Sequence, residues 1–512
     1  MSLSPAETAK PSASGDRIWK DSAIAIALFA LTILTRLPFH TQFPEGDEGH
    51  FAMAVREFDV SRNQPQMPGM FIIFIWMARF FNLFIDDPTL SLVAVNIVAS
   101  GVTVAALFLL GNAWYNRRVG WSVSLLALTS PLFWYYGETA FSHALEFCWV
   151  VLIYLAAYYT GLGDRRALFS LAILMGLAGG IRPSTPFFLL PLALLAVFFG
   201  WRRSRKTDSP NSFTFFQVIL AFGVGWLAVG LWFVPLIASA GGWQSYWELV
   251  QNWLPVHTTR QDADSLGEVF DNVMVLMKAY FRVVGLAIIP MFWMLVRDRQ
   301  AIGYLIRRDW KIQSLFAALI PGLLYFSLVH LRRKPQTFTI MPAVLMMGGF
   351  TMVWWGDRLS KYHRQAWAIL TAAIVGLNGL FFLLGPPGMP TAGELRRFNL
   401  DVGERIEFVR DRFPPETTVV LTRDYYYRLM DLYFQNYQLP DLSHDLDEDA
   451  IVLPPHVRTL VLFDDRIFSE PGQAENFQTM NMPSDRPIRY LNWLPEWQVQ
   501  LSENGAILMR RQ

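Results

Sequence analysis

Asp47 and Glu48 stand side by side in Phe43-Pro-Glu-Gly-Asp-Glu-Gly-His-Phe51, with Glu45 just before them and His50 just after. The stretch follows the first long apolar run of the chain, so these carboxylates fall where a membrane span would end, at the water boundary where a lipid-linked substrate would present its head group. A carboxylate at that boundary is only partly hydrated, and its pKa can be tuned for general-base work. Neighbouring residues point about 100° apart on a helix and to opposite faces on a strand. Asp47 and Glu48 are therefore expected to divide the work, one facing substrate and the other holding structure or a cation. A solvated acidic turn, helped by Gly46 and Gly49, is the plainer alternative.

Further polar groups lie downstream. Arg56, Arg62 and Asn63-Gln64-Pro65-Gln66-Met67-Pro68 precede an apolar segment. Polar side chains between two prolines make a stiffened turn suited to a sugar hydroxyl, with Arg56 and Gln64 the candidate contacts and a helix-entry turn the simpler reading. A second outer loop runs from Tyr135 to Glu146 and carries Glu138, His143 and Glu146, which are expected to face the first loop. Ionisable groups are costly at a membrane boundary and are functional candidates for that reason. Together with Asp47, Glu48 and His50 they offer enough oxygen and nitrogen ligands for a divalent metal, the only cofactor in view, although no ligand spacing marks a metal site. Arg332-Arg333-Lys334 is the third constellation, and Arg182-Pro183-Ser184 is a weaker one of the same kind. Three consecutive cations suit a phosphate, Arg by forked hydrogen bonds and Lys as a point charge, while snorkelling toward lipid head groups is the alternative.

The elements that must position these groups are membrane helices. The chain is 53% hydrophobic and 17% charged over 512 residues, too apolar for an ordinary soluble protein. A net charge of +1 gives no electrostatic case for nucleic acid. Cys148, the single cysteine, lies in an apolar run and reads as a small buried side chain. Residues 1–17 read as a disordered tail, and the run from Ile18 as an uncleaved anchor. About eleven runs are long enough to span, near 18–38, 88–114, 119–136, 143–160, 167–181, 183–200, 213–239, 283–296, 312–330, 337–355 and 366–385.

The run 69–85 decides the orientation of everything after it. If it does not cross, sixteen Lys and Arg after residue 88 fall on inner loops and seven on outer ones; if it crosses, the totals exchange. Because cytoplasmic loops carry the cationic excess, 69–85 is assigned to the outer interface, inside one long outer loop from 39 to 87. The amino terminus is then cytoplasmic and the carboxyl terminus outside. From Pro386 the composition becomes that of a small soluble domain, with helical spacing over 394–412 and short β-branched runs at Thr417–Leu421, Thr459–Phe463 and Gly505–Met509. The expected fold is thus an α-helical polytopic membrane protein, with a transmembrane domain over 18–385 and a small α/β extracytoplasmic domain over 386–512.

At Gly46-Asp47-Glu48-Gly49-His50-Phe51 the chain resembles the GT-C class of integral-membrane glycosyltransferases, in particular the protein O-mannosyltransferase and aminoarabinose-transferase-like branch. The resemblance continues through Gln64-Pro65-Gln66-Met67-Pro68, Asn116-Arg117-Arg118 and Ser130-Pro131-Leu132-Phe133-Trp134-Tyr135-Tyr136, and covers roughly the first 200 residues. It implies transfer of a sugar from a polyprenyl-phosphate carrier to a lipid, glycan or protein acceptor on the non-cytoplasmic face, usually with inversion, in a bacterial inner membrane. It also implies Asp47 as general base and Glu48 as its assistant. Two departures stand out: His143 occupies a position where many relatives carry Asp, and Gln-Pro-Gln-Met-Pro replaces the usual His-Pro-Pro-Leu or Lys-Pro-Pro type of turn. Arg332, Arg333 and Lys334 are assigned to the lipid phosphate from topology alone. A transporter or flippase of lipid-linked saccharides is the competing reading, and a membrane scaffold a third; paired broken helices, the mark of many transporters, are not evident.

Overall fold

The computed structural model describes residues 15–59, 71–206, 211–258, 266–328, 334–386, 389–422, 427–437, 456–463, 477–482, 487–492, 497–502 and 505–510. Residues 1–14 of the expected tail, Arg62, Gln64 with the rest of the 63–68 turn, Arg332, Arg333 and the acidic stretch 441–449 lie outside the described residues. Lys334 is described in its backbone alone.

Helices dominate. In chain order they are α1 (Gly15–Arg36), α2 (Asp47–Arg56), α3 (Ile72–Ile85), α4 (Pro88–Trp114), α5 (Arg117–Leu128), α6 (Pro131–Tyr136), α7 (His143–Gly161), α8 (Arg165–Ile181), α9 (Ser184–Ser204) and α10 (Phe215–Ser239). They continue as α11 (Trp243–Thr258), α12 (Leu266–Val284), α13 (Ile288–Arg297), α14 (Arg299–Arg308), α15 (Trp310–Leu328), α16 (Met341–Leu359), α17 (Ala366–Leu384), α18 (Ala392–Arg412) and α19 (Tyr427–Tyr433). Among the described residues, eight helical runs are long and apolar enough to cross a membrane. The three remaining expected spans are helical too, as α5 with α6, as α8 and as α16. Between α5 and α6 the break comes at Ser130-Pro131: a residue before proline is pushed out of the helical region, and the Ser130 hydroxyl then caps the new helix by accepting from Phe133 N.

α4 is apolar on all sides because it is buried on all sides, packed by α1, α3, α5 and α7. Its contact with α5 is made at backbone distance: a Cβ added at Gly120 would stand 2.7 Å from the Phe108 carbonyl oxygen. Small residues at such crossings let two helices approach without a hydrophobic driving force between them. α3 is 14 residues long, about 21 Å at 1.5 Å per residue, short of a hydrocarbon core of about 30 Å. Ile72, Phe74, Ile75 and Ala78 are buried, whereas Phe80, Leu83 and Phe84 are exposed.

One region differs from the pattern expected of the sequence. Helix begins at Leu266, well before the apolar run at 283, and continues as one apolar stretch, Gly267–Arg297. Glu268, Asp271, Lys278 and Arg282 dilute the hydropathy of α12 and hide it from a count of apolar residues. Lys278 and Arg282, expected among the outer-loop cations, are helical residues. After α17, α18 packs under a four-stranded sheet in the order β1-β2-β4-β3, where β1 is Thr418–Leu421, β2 Thr459–Leu462, β3 Gln478–Met480 and β4 Ile488–Asn492. β1 and β2 pair in parallel, and β4 runs antiparallel to both β2 and β3. A separate hairpin joins β5 (Trp497–Ser502) to β6 (Gly505–Arg510). Val402, Ile406 and Val409 of α18 share a core with Val420, Leu429, Met430, Phe434, Val461 and Ile488.

Candidate active site

The acidic stretch is helical. Asp47 and Glu48 form the first turn of α2, where carboxylates suit the exposed N–H groups and positive end of a helix. Gly46 precedes them at φ 58° and ψ −119°, a backbone conformation that side-chain-bearing residues rarely adopt. On a helix, Asp47 and His50 share a face and Glu48 lies about 100° round from Asp47. The burial follows that geometry: Glu48 is 1% exposed, while Asp47 and His50 are half-buried.

Glu48 points into the loop between α6 and α7. Its Oε2 accepts from Glu45 N at 2.8 Å, and the backbone of Ala140 and Phe141 faces it from the loop. Burial, reinforced by the like charge of Glu45, pushes its carboxyl well above the usual carboxylate range, and those peptide groups only partly oppose the shift. The loop is held from two further sides. Asn96 of α4 donates from Nδ2 to the carbonyls of Thr139 (2.8 Å) and Phe141, and Thr41 donates from its N–H to the Glu138 carbonyl at 2.9 Å. Three segments distant in sequence thus converge at one end of the helical bundle.

Glu138 turns inward. Its Oε1 accepts from Trp134 Nε1 at 2.7 Å, and its carboxyl is raised by burial, with the nearby Arg36 guanidinium opposing. Arg36, fully buried, lies over the Trp134 ring at 4.6 Å and donates to the Leu128 carbonyl. The expectation that Glu138 faces the first loop therefore holds for its backbone carbonyl, and its side chain serves the interior.

His143 opens α7 one turn before Glu146, with its Nδ1 3.9 Å from Glu146 Oε2. Glu146 is a hub: Oε2 accepts from Arg182 at 2.8 Å, and Oε1 accepts from the hydroxyls of Thr185 at 3.0 Å and Thr339 at 2.9 Å. Thr339 ends the 3-10 helix Lys334–Thr339, so the carboxylate ties α7 and the α8–α9 turn to the segment that Lys334 begins. Arg182 is engaged by this ion pair. Arg282, half-buried, contacts Met389 Sδ at 2.9 Å with Tyr136 nearby.

His50 and Arg56 meet a partner that sequence spacing does not suggest. Arg428 on α19 donates from Nε to His50 Nδ1 at 3.3 Å across 378 positions of chain, and Arg56 donates to the Asp431 carbonyl at 3.2 Å. Burial and the Arg428 charge lower the His50 ring to about 3, so it is neutral near neutral pH. Arg428, Asp431, Asn96 and Arg36 carry no local signature; an arginine ending an apolar run reads as an ordinary flank. Among the described residues no group of three or more His, Cys, Asp or Glu is placed to hold a metal ion.

Comparison with known proteins bears on this arrangement. A family model described as dolichyl-phosphate-mannose-protein mannosyltransferase matches residues 66–227, about a third of the chain. A search of curated proteins finds no match. Among solved structures, ArnT from Cupriavidus metallidurans in the apo state superposes with a TM-score of 0.58 at 13% identity, covering 94% of this chain and 98% of that one. The same protein bound to undecaprenyl phosphate gives 0.56 at 11% identity, covering 93% and 98%. The likeness to ArnT is one of fold and runs through the membrane helices and the residues after them.

Proposed function

We propose that this chain, a multi-pass membrane protein with the GT-C fold, is a glycosyltransferase that takes a sugar from a polyprenyl-phosphate carrier and delivers it to a hydroxyl acceptor on the non-cytoplasmic face. The observation that carries the reading is the first turn of α2, where Glu48 is buried against the α6–α7 loop and Asp47 stays half-buried on another face, at one end of a bundle whose fold ArnT shares. Support comes also from the family model over 66–227 and from the undecaprenyl phosphate bound by ArnT.

In this reading Asp47 removes the proton from the acceptor hydroxyl. The oxygen attacks the anomeric carbon, the bond from that carbon to the phosphate oxygen breaks, and the electron pair leaves with the lipid phosphate. Attack from the side opposite the leaving group inverts the anomeric configuration. Charge builds on the departing phosphate, where fixed cations lower the barrier. Arg332, Arg333 and Lys334 are the proposed cations, joined by Arg282, whose half-buried guanidinium stands beside Tyr136. Glu48 holds the α6–α7 loop against α2. His50, Arg56, Gln64 and His143 are proposed contacts to sugar or acceptor. The chain would act in a bacterial inner membrane, its amino terminus cytoplasmic.

The test is chemical. Purified protein in polyprenyl-lipid nanodiscs, given a panel of polyprenyl-phosphate sugars, releases polyprenyl phosphate only when a suitable acceptor hydroxyl is present. Carrier movement between leaflets without cleavage would instead support a flippase.

A further inference from the structure

α19 sits on α2 more closely than packing of two short helices requires. A Cβ added at Gly49 would stand 2.6 Å from Arg428 Cβ, so the glycine is what admits the arginine. Arg428 is 7% exposed, and its second arm reaches Asp431 Oδ2 at 2.8 Å. Around this contact Tyr433 Oη donates to the Gln42 carbonyl, the Phe43 and Tyr433 rings meet at 5.4 Å, and Asn399 of α18 exchanges hydrogen bonds with His40 and Gln42. Residues from beyond the last span therefore grip the segment leading into the acidic turn on both sides of it.

We propose that Arg428 is a positioning residue for the transferase: it occupies His50 Nδ1 and leaves the imidazole as a donor at Nε2, on the face of α2 that carries Asp47. The inference rests on the reading of Asp47 as base. Arginine has donors only, so the ring nitrogen facing it must accept and the other must carry the proton. A ring held so cannot compete with Asp47 for the acceptor's proton, because its only lone pair is taken. The charged groups around it support the assignment. From α19 come Arg428 and, beyond it, Asp431; on its own helix are Asp47, Arg56 and Glu48, the last turned away into the α6–α7 loop. α4 carries no charged residue, and Arg79 of α3 lies over Phe58, past the far end of α2.

Two measurements on the full-length protein test this. In wild type carrying isotope-labelled histidine, with His50→Gln to assign its signals, magnetic resonance at about pH 6 shows a neutral ring protonated at Nε2. An Nδ1–H tautomer or a charged ring overturns the proposal, and this readout needs neither activity nor a change at 428. In the transfer assay, Arg428→Ala lowers kcat/KM about tenfold, the scale of a hydrogen bond to a charged group. Its pH profile gains an ionisation near the ordinary histidine value of about 6.5, which disappears in the double variant with His50→Gln. Arg428→Lys, which keeps the charge, shows no such ionisation. If Arg428→Ala leaves the profile unchanged, or costs as much with His50→Gln as without it, Arg428 does not act through His50. Neither result touches the assignment of Asp47, which stands or falls on its own variant.

Discussion

A carboxyl buried to 1% exposure beside a second carboxylate has an unusual dependence on pH. Because the folded protein raises the pKa of Glu48, it binds more protons than the unfolded chain above about pH 4.3, and this group's contribution to stability falls as pH rises through that window. Glu48→Gln removes the penalty while keeping the shape. Thermal unfolding in detergent is expected to show the variant gaining on wild type from about pH 5 to pH 8; a variant that loses ground with rising pH would mean that Glu48 is ionised and paired. Glu146 is instead a paired carboxylate on which Arg182 and two threonine hydroxyls depend. Glu146→Ala leaves a cation without its partner, a loss of about 3–5 kcal/mol, and Arg182→Met added to it recovers part of the loss in the same unfolding measurement. Residue type and place mark Asp47, Glu48 and His50 as candidates, and the structure puts them together on α2. Which of the carboxylates is buried was not legible, because that depends on Ala140 and Phe141 across the fold.

At the scale of elements, the spans and α18 follow from apolar runs and helical spacing, and β1, β2 and β6 from β-branched stretches. α12 does not, since its polar positions break the run, and neither does α19, seven residues whose place is fixed by contact with α2. Gly49 is where that contact is most sensitive. Gly49→Val demands space that the Arg428 backbone and Cβ occupy, at a cost of about 1–3 kcal/mol. The expected outcome is faster proteolysis after α17 together with lower transfer, while Gly223→Val, at a helical glycine with nothing within 4 Å, changes neither. Equal protease resistance in the two variants would show that α2 does not hold the carboxyl-terminal residues in place.

For the whole molecule, orientation in the membrane decides which end of the bundle can meet a lipid-linked sugar. α3 is too short to cross unaided, in keeping with the loop charges that assign it to the outer interface. Cys148 is buried, so the native chain offers little background to a thiol reagent. Introduced cysteines at Tyr362, 88% exposed, and at Arg397 test the two sides. In intact cells a membrane-impermeant reagent is expected to label the second and spare the first, and the reverse pattern would overturn the charge count. The fold was legible because membrane crossing constrains composition so strongly. The site was legible only in part, since Arg428, Asn96 and Arg36 reach it from segments whose local sequence is unremarkable.

Asp47 as general base is tested most directly by single-turnover transfer with Asp47→Asn against wild type, a polyprenyl-phosphate sugar being already bound. The asparagine keeps the size and hydrogen bonding of the side chain but cannot take the acceptor's proton. Donor binding is expected to stay unchanged while the chemical step slows by about 10²-fold or more. Transfer at the wild-type rate would contradict the assignment.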